Sequence, residues 1–200
     1  MTELIFTAIA LLFTVITHEV AHGYVAYLNG DSTALNAGRL TFNPIKHVDP
    51  MGLIFLILFK FGWAKPVPID ERNFNNRRLG LFLVSIAGVS VNFLTALISL
   101  LIIVLFAPKL GIFVQLFNLL AIYGLFFMVF NLIPIPPLDG SKVLASFLPV
   151  KFQYIIYRYE RYFYIFLMAM LVFNRETLFV SKIVQSIYMF ILNGLLNIVG

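Results

Sequence analysis

In the segment Thr17-His18-Glu19-Val20-Ala21-His22-Gly23, two histidines stand four positions apart and a glutamate directly follows the first. Positions four apart on a helix share a face, so His18 and His22 can present ring nitrogens to one metal ion. Glu19 sits about 100° further round the helix. There its carboxylate lies beside the ion without being a ligand, placed to take a proton from an activated water. Metal-assisted hydrolysis is the chemistry this pattern implies.

The element that must carry the motif is an apolar run from about Leu4 to Leu28. Imidazoles and carboxylates inside hydrocarbon cost a few kcal/mol or more each when unpaired, so ionisable groups at membrane depth point to a function. The chain is 61% hydrophobic and only 12% charged over 200 residues, with a mean hydropathy of +0.96, a composition that marks an integral membrane protein. The first run is too long for a signal peptide and lacks the basic flank and small-residue cleavage site, so it is expected to remain as a span. Cysteine is absent, which excludes disulfides and thiolate chemistry and leaves His and carboxylate to hold a metal. The net charge of +5 fits membrane topology better than nucleic acid, because no basic run interleaves with aromatics.

The expected architecture is an all-α polytopic membrane protein with about five transmembrane helices and one domain over residues 1–200, without internal repeats. Four spans are expected at about Leu4 to Leu28, Leu79 to Phe106, Ile112 to Ile133 and Leu178 to Ile198. The fifth joins Phe152–Arg161 to the short apolar run Tyr162–Phe173, with Arg158, Glu160 and Arg161 snorkelling to the interface. Gly52 to Gly62 is too short to span and is hemmed by Pro44, Pro50, Pro66 and Pro68, so a re-entrant or interfacial hairpin is expected between the first two spans. An exposed edge in the Gly52 to Pro68 region would hold a substrate extended by strand addition. Asp31 and the Asp70-Glu71 pair read as solvated loop charges. Thr14, Thr17 and Asn92 are candidates to line a water-accessible cavity, and the Phe and Tyr stripe of 152–173 reads as lipid-facing and interfacial.

Orientation follows from Lys and Arg. One set of loops holds Arg39, Lys46, Lys60, Lys65, Arg72, Arg77, Arg78, Lys142 and Lys151; the other holds Lys109, Arg175 and Lys182. The excess places the long loops in the cytoplasm and the N-terminus outside. His18 then lies roughly 20 Å below the outer face at 1.5 Å per residue, nearer the cytoplasm.

A catalytic zinc normally takes three protein ligands and keeps an open position. Asp139 is the best candidate for the third, because Pro134, Pro136 and Pro137 must end the preceding apolar helix at the depth of His22. Irregular backbone is tolerated at that depth where it lines a cavity. His47 and Asp49 are rival ligands, though their Pro-flanked segment reads as a turn-rich lid, with His47 supporting the site or facing substrate.

Together these segments resemble the site-2 protease family of intramembrane zinc metalloproteases, peptidase family M50, in its compact bacterial and archaeal branch without PDZ or CBS domains. His18-Glu19-x-x-His22-Gly23 corresponds to the family's metal motif and Asn131 through Gly140 to its Asn-x-x-Pro-x-x-Pro-Leu-Asp-Gly motif. Phe42-Asn43-Pro44 to Asp49-Pro50-x-Gly52 and Gly62-Trp63-Ala64-Lys65-Pro66-Val67-Pro68 are also typical of the branch. The resemblance implies that His18, His22 and Asp139 bind one Zn2+ and that Glu19 is the catalytic acid and base. The family's Gly-Pro-x-x-Asn pattern reads here Gly88-Val89-Ser90-Val91-Asn92. Its proline is replaced by Val89, and Asn92 is retained in a position that would hydrogen-bond the substrate backbone or the oxyanion. The implied activity is cleavage of a transmembrane protein substrate within the lipid of a prokaryotic plasma membrane. Any signal-dependent control would come from a separate membrane partner. The alternative is a metal-binding or catalytically inactive protein that binds transmembrane helices as an adaptor.

Overall fold

A computed structural model describes residues 2–52, 64–173 and 179–199, with the side chains of 167–173 left aside. Among the described residues seven α-helices have both ends defined: α1 (Thr2–Leu28), α2 (Thr33–Asn36), α3 (Arg77–Leu110), α4 (Phe113–Asn131), α5 (Asp139–Phe147), α6 (Val150–Phe173) and α7 (Phe179–Val199). Among the described residues α1, α3, α4 and α7 are long and apolar enough to cross a membrane. Segment 152–173, the expected fifth span, belongs to one continuous helix, α6, with exposed aromatics such as Tyr154, Tyr162 and Phe166, but that helix is not among those long and apolar enough to cross. The hairpin expected over Gly52 to Gly62 lies almost wholly outside the described residues.

Helix α3 is the hub, packed against α1, α4, α5 and α7. Its 34 residues extend about 50 Å at 1.5 Å per residue, beyond a hydrocarbon core of about 30 Å. It begins where Asn76 Oδ1 accepts the Leu79 N–H at 3.1 Å, an N-cap, and ends at Gly111, whose φ of 53° turns the chain back into α4. Lipid offers no hydrophobic drive for helices to associate, so close approach of small residues must hold them together. That approach is seen at Gly124, where a Cβ would stand 2.7 Å from the Asn92 carbonyl oxygen and 3.2 Å from Ala96 Cβ. The large side chains left uncovered on α1 and α7, such as Leu4 and Phe190, form the surface that lipid would coat.

Of the three charges expected to be solvated, Asp31 is buried, while Asp70 and Glu71 stay partly exposed and still make specific contacts. Asp31 is 0% exposed: Oδ1 accepts from the Thr33 N–H and hydroxyl and from Asn73 Nδ2, and Oδ2 accepts the Asp70 N–H at 2.8 Å. It staples the end of α1 to the segment leading into α3. Asp70 caps the 3-10 turn Glu71–Asn73 and pairs with Arg72, whose hydrogen bonds hold its carboxyl down at about 2. Glu71 accepts from Arg77 at 3.1 Å and from the Tyr157 hydroxyl at 2.9 Å, tying α6 to the start of α3.

Burial pushes the Asp31 carboxyl up, but its hydrogen bonds from Asn73, Thr33 and the Asp70 backbone outweigh that and hold it below the ordinary carboxylate value. Asp31→Ala strands those donors and should destabilise the fold by about 2–4 kcal/mol, read as a lower unfolding midpoint in detergent. Because the folded pKa is depressed, the stabilisation is complete above the unfolded value near 3.9 and fades as the pH falls through the folded value. The gap between wild type and variant should therefore narrow in acid.

Candidate metal centre

His18 and His22 project from adjacent turns of α1, with ring centroids 4.4 Å apart and planes at 90°. Their Nε2 atoms are 2.9 Å apart, and Asp139 Oδ2 stands 3.2 Å from the first and 3.1 Å from the second. All three residues are buried.

Asp139 arrives by a broken path, as its prolines require. Helix α4 stops at Asn131, and the turn through Ile133–Leu138, with a cis Pro136-Pro137 peptide, brings Asp139 in as the first residue of α5. Gly140 is pressed against the end of α4, where a Cβ would overlap the Leu132 carbonyl and stand 2.6 Å from the Ile133 carbonyl oxygen. Only glycine allows the chain to fold back so tightly, and that close turn aims the carboxylate at α1.

The far side of each imidazole is also held. His22 Nδ1 lies 2.7 Å from the Val84 carbonyl oxygen, which only accepts, so Nδ1 carries the hydrogen. A neutral His22 then has a bare lone pair on Nε2. Asn92, 0% exposed on α3, meets His18 Nδ1 with its amide group at 3.0 Å. Asn92 is not among the residues that wall the cavity beside the cluster. Gly88, on the same helix as Asn92, seats the centre. A Cβ there would stand 2.5 Å from His18 Cε1 and 2.6 Å from His22 Nε2.

These residues fit a divalent cation. Three donor atoms lie within 4.8 Å of one another, and Asp139 Oδ2 is buried with no hydrogen-bond partner of its own. Electron-rich atoms so close together in a dry site repel unless a cation stands among them. Two imidazole nitrogens and a carboxylate oxygen are the donor set of catalytic zinc sites, with a fourth position left open. Beside the cluster lies a cavity of about 150 Å³, whose walls include Glu19, Val67, Asn131 and Lys142. That is space for a few waters at about 30 Å³ each.

Glu19 borders this cavity and accepts the Val67 N–H on Oε2 at 2.8 Å. Thr14 and Thr17 instead spend their hydroxyls on carbonyls of their own helix, those of Ala10 and Phe13. Neither rival ligand joins the cluster. His47 is buried in the loop with Nε2 2.8 Å from the Thr41 carbonyl oxygen, and Asp49 caps the Gly52 N–H at 2.9 Å. The 3-10 turn at Pro44–Lys46 folds that segment on itself before it can reach α1.

A helical membrane protein with a buried His-His-Asp cluster, an open cavity and a carboxylate at its edge belongs to the class of membrane metallohydrolases. Residues 106–174 match Peptidase family M50. The chain is 41% identical to YwhC of Bacillus subtilis (strain 168) and 31% identical to Rip2 of Mycolicibacterium smegmatis, each named "Putative zinc metalloprotease". The first match covers 72% of this chain and 69% of YwhC, and the second 71% of this chain and 57% of Rip2. No solved structure matches the chain. The chain belongs to peptidase family M50.

Proposed function

We propose that this protein is an intramembrane zinc endopeptidase that hydrolyses a peptide bond within or near a transmembrane segment of another membrane protein, as a step of regulated intramembrane proteolysis. The observation that carries the reading is the convergence of His18 Nε2, His22 Nε2 and Asp139 Oδ2 inside a membrane helix bundle.

In this reading those three residues hold one Zn2+. When bound, zinc supplies Lewis acidity toward a water and toward the carbonyl of the scissile bond. Glu19 takes the proton of the attacking water and returns it to the leaving amine. Lys142, one turn after Asp139 and on the cavity wall, offers a cation to the oxyanion. His22 is oriented by the Val84 carbonyl and His18 by Asn92. Asn92 Oδ1 is buried without a partner, and turning the amide half a turn lets it accept a hydrogen from His18 Nδ1, freeing Nε2 for the metal. The excess of Lys and Arg puts the loops between α1 and α3 and after α4 in the cytoplasm, with the N-terminus outside and the site nearer the cytoplasmic face of a prokaryotic plasma membrane.

The test is cleavage in liposomes that hold the purified protein together with a panel of single-span membrane proteins, with fragment ends mapped by mass spectrometry. New ends inside apolar spans, blocked by 1,10-phenanthroline and restored by zinc, are expected. Cleavage confined to soluble β-casein would contradict the intramembrane reading, and zinc-loaded protein that binds the panel without cutting it would favour the adaptor.

A further inference from the structure

The segment from Ala64 to Asp70 has no regular secondary structure beyond a bridge at Ala64, and its Pro66, Val67 and Ile69 wall the metal cavity. Pro66 and Pro68 have no N–H, so between Lys65 and Ile69 the chain retains one amide donor, that of Val67. That donor is spent on Glu19 Oε2 at 2.8 Å.

The rest of the strap is pinned. The Arg39 guanidinium donates to the Lys65 carbonyl at 2.6 Å and to the Pro66 carbonyl at 3.2 Å, while the Lys65 N–H donates to the His47 carbonyl at 2.8 Å. The Val48–Ala64 bridge and the Asp31 contact with the Asp70 N–H fix its two ends. The Val67 side chain, 6% exposed, packs on Gly23, where a Cβ would stand 2.9 Å from Val67 Cγ1. Arg39 is itself 6% exposed, and its Nε has no partner. A buried guanidinium held by two consecutive carbonyls is costly unless holding that backbone matters. With the Lys65 and Val67 donors and the Lys65 and Pro66 carbonyls already engaged, this stretch offers no free edge to a substrate strand; residues 53–63 of the expected edge lie outside the described residues.

We propose that the Lys65–Pro68 strap positions the general base: the Val67 N–H fixes the Glu19 carboxylate in one orientation with Oε1 left for proton transfer, and Arg39 is the positioning residue that fixes Val67. This rests on the assignment of Glu19 above. A single charge-assisted donor suffices because the prolines preset the strap and offer no competing amide.

The experiment is hydrogen exchange by mass spectrometry on the full-length zinc-loaded protein in detergent, with β-casein cleavage and zinc content measured on the same samples. Peptides spanning 66–68 report the Val67 amide alone in that stretch. In Glu19→Ala and in Arg39→Met, exchange at Val67 should quicken about tenfold or more, while zinc stays bound. Arg39→Met should lower kcat on β-casein about tenfold with KM changed less than about twofold, and Arg39→Lys should restore part of it. Replacing the Val67 amide by an ester removes the donor, while only weakening the Pro66 carbonyl that Arg39 holds, and should reproduce the kcat loss even if Arg39→Met does not fold. Unchanged Val67 exchange in Glu19→Ala, or full kcat in the ester, would overturn the proposal. Wild-type protein without zinc or without proteolysis would instead sink the protease assignment, and Val67 exchange would still decide whether the strap holds Glu19.

Discussion

Glu19→Gln should leave zinc bound at the wild-type level and reduce proteolysis by about 10²–10⁴-fold, the usual contribution of a general acid and base. Glutamine keeps the size of the side chain and can still accept the Val67 N–H, so the strap and the ligand geometry have no reason to move. It cannot take the proton of the attacking water. The loss should therefore appear in kcat, with substrate binding retained, which makes this variant suited to trapping a substrate in the membrane. Activity within about threefold of wild type would remove Glu19 from the chemistry and direct attention to another base.

Gly88→Ala should be nearly as severe by a different route. The added methyl would lie 2.5 Å from His18 Cε1 and 2.6 Å from His22 Nε2, and both rings are already fixed from behind, by Asn92 and by the Val84 carbonyl. Neither imidazole can retreat without leaving its partner, so zinc affinity should fall about 100-fold or more in chelator competition. Helix α3 is not the weak point, since alanine is a better helix former than glycine by about 1 kcal/mol. Gly194→Ala is the matched control, because a Cβ at that position meets nothing within 4 Å. Equal zinc affinity in Gly88→Ala and wild type would show that the imidazoles have more room than the packing allows.

The parts of the centre legible in the sequence are those set by local geometry. Helical spacing places His18 and His22 on one face, and prolines after Asn131 must break α4 near the depth of those histidines, which makes Asp139 a ligand candidate. Asn92 was visible as a polar residue on an apolar helix, but its partner was not, because contact with His18 depends on how α3 crosses α1. Gly88 looks like any small residue in a membrane helix until two imidazoles are placed over it. Arg39 and Asp31 look like surface charges in a polar loop; what buries them is the return of the chain from residue 64 onward, a pairing that no periodicity records. His47 and Asp49 had suitable chemistry for ligands, but the turn at Pro44–Lys46 directs them into loop contacts.

The central claim is that His18, His22 and Asp139 hold one zinc ion within the membrane, and elemental analysis of detergent-purified protein prepared without chelators tests it most directly. Wild type should carry about one zinc per chain, and both His22→Ala and Asp139→Ala should carry almost none. Metal-free wild type would contradict the account, and zinc retained without Asp139 would place the third ligand elsewhere.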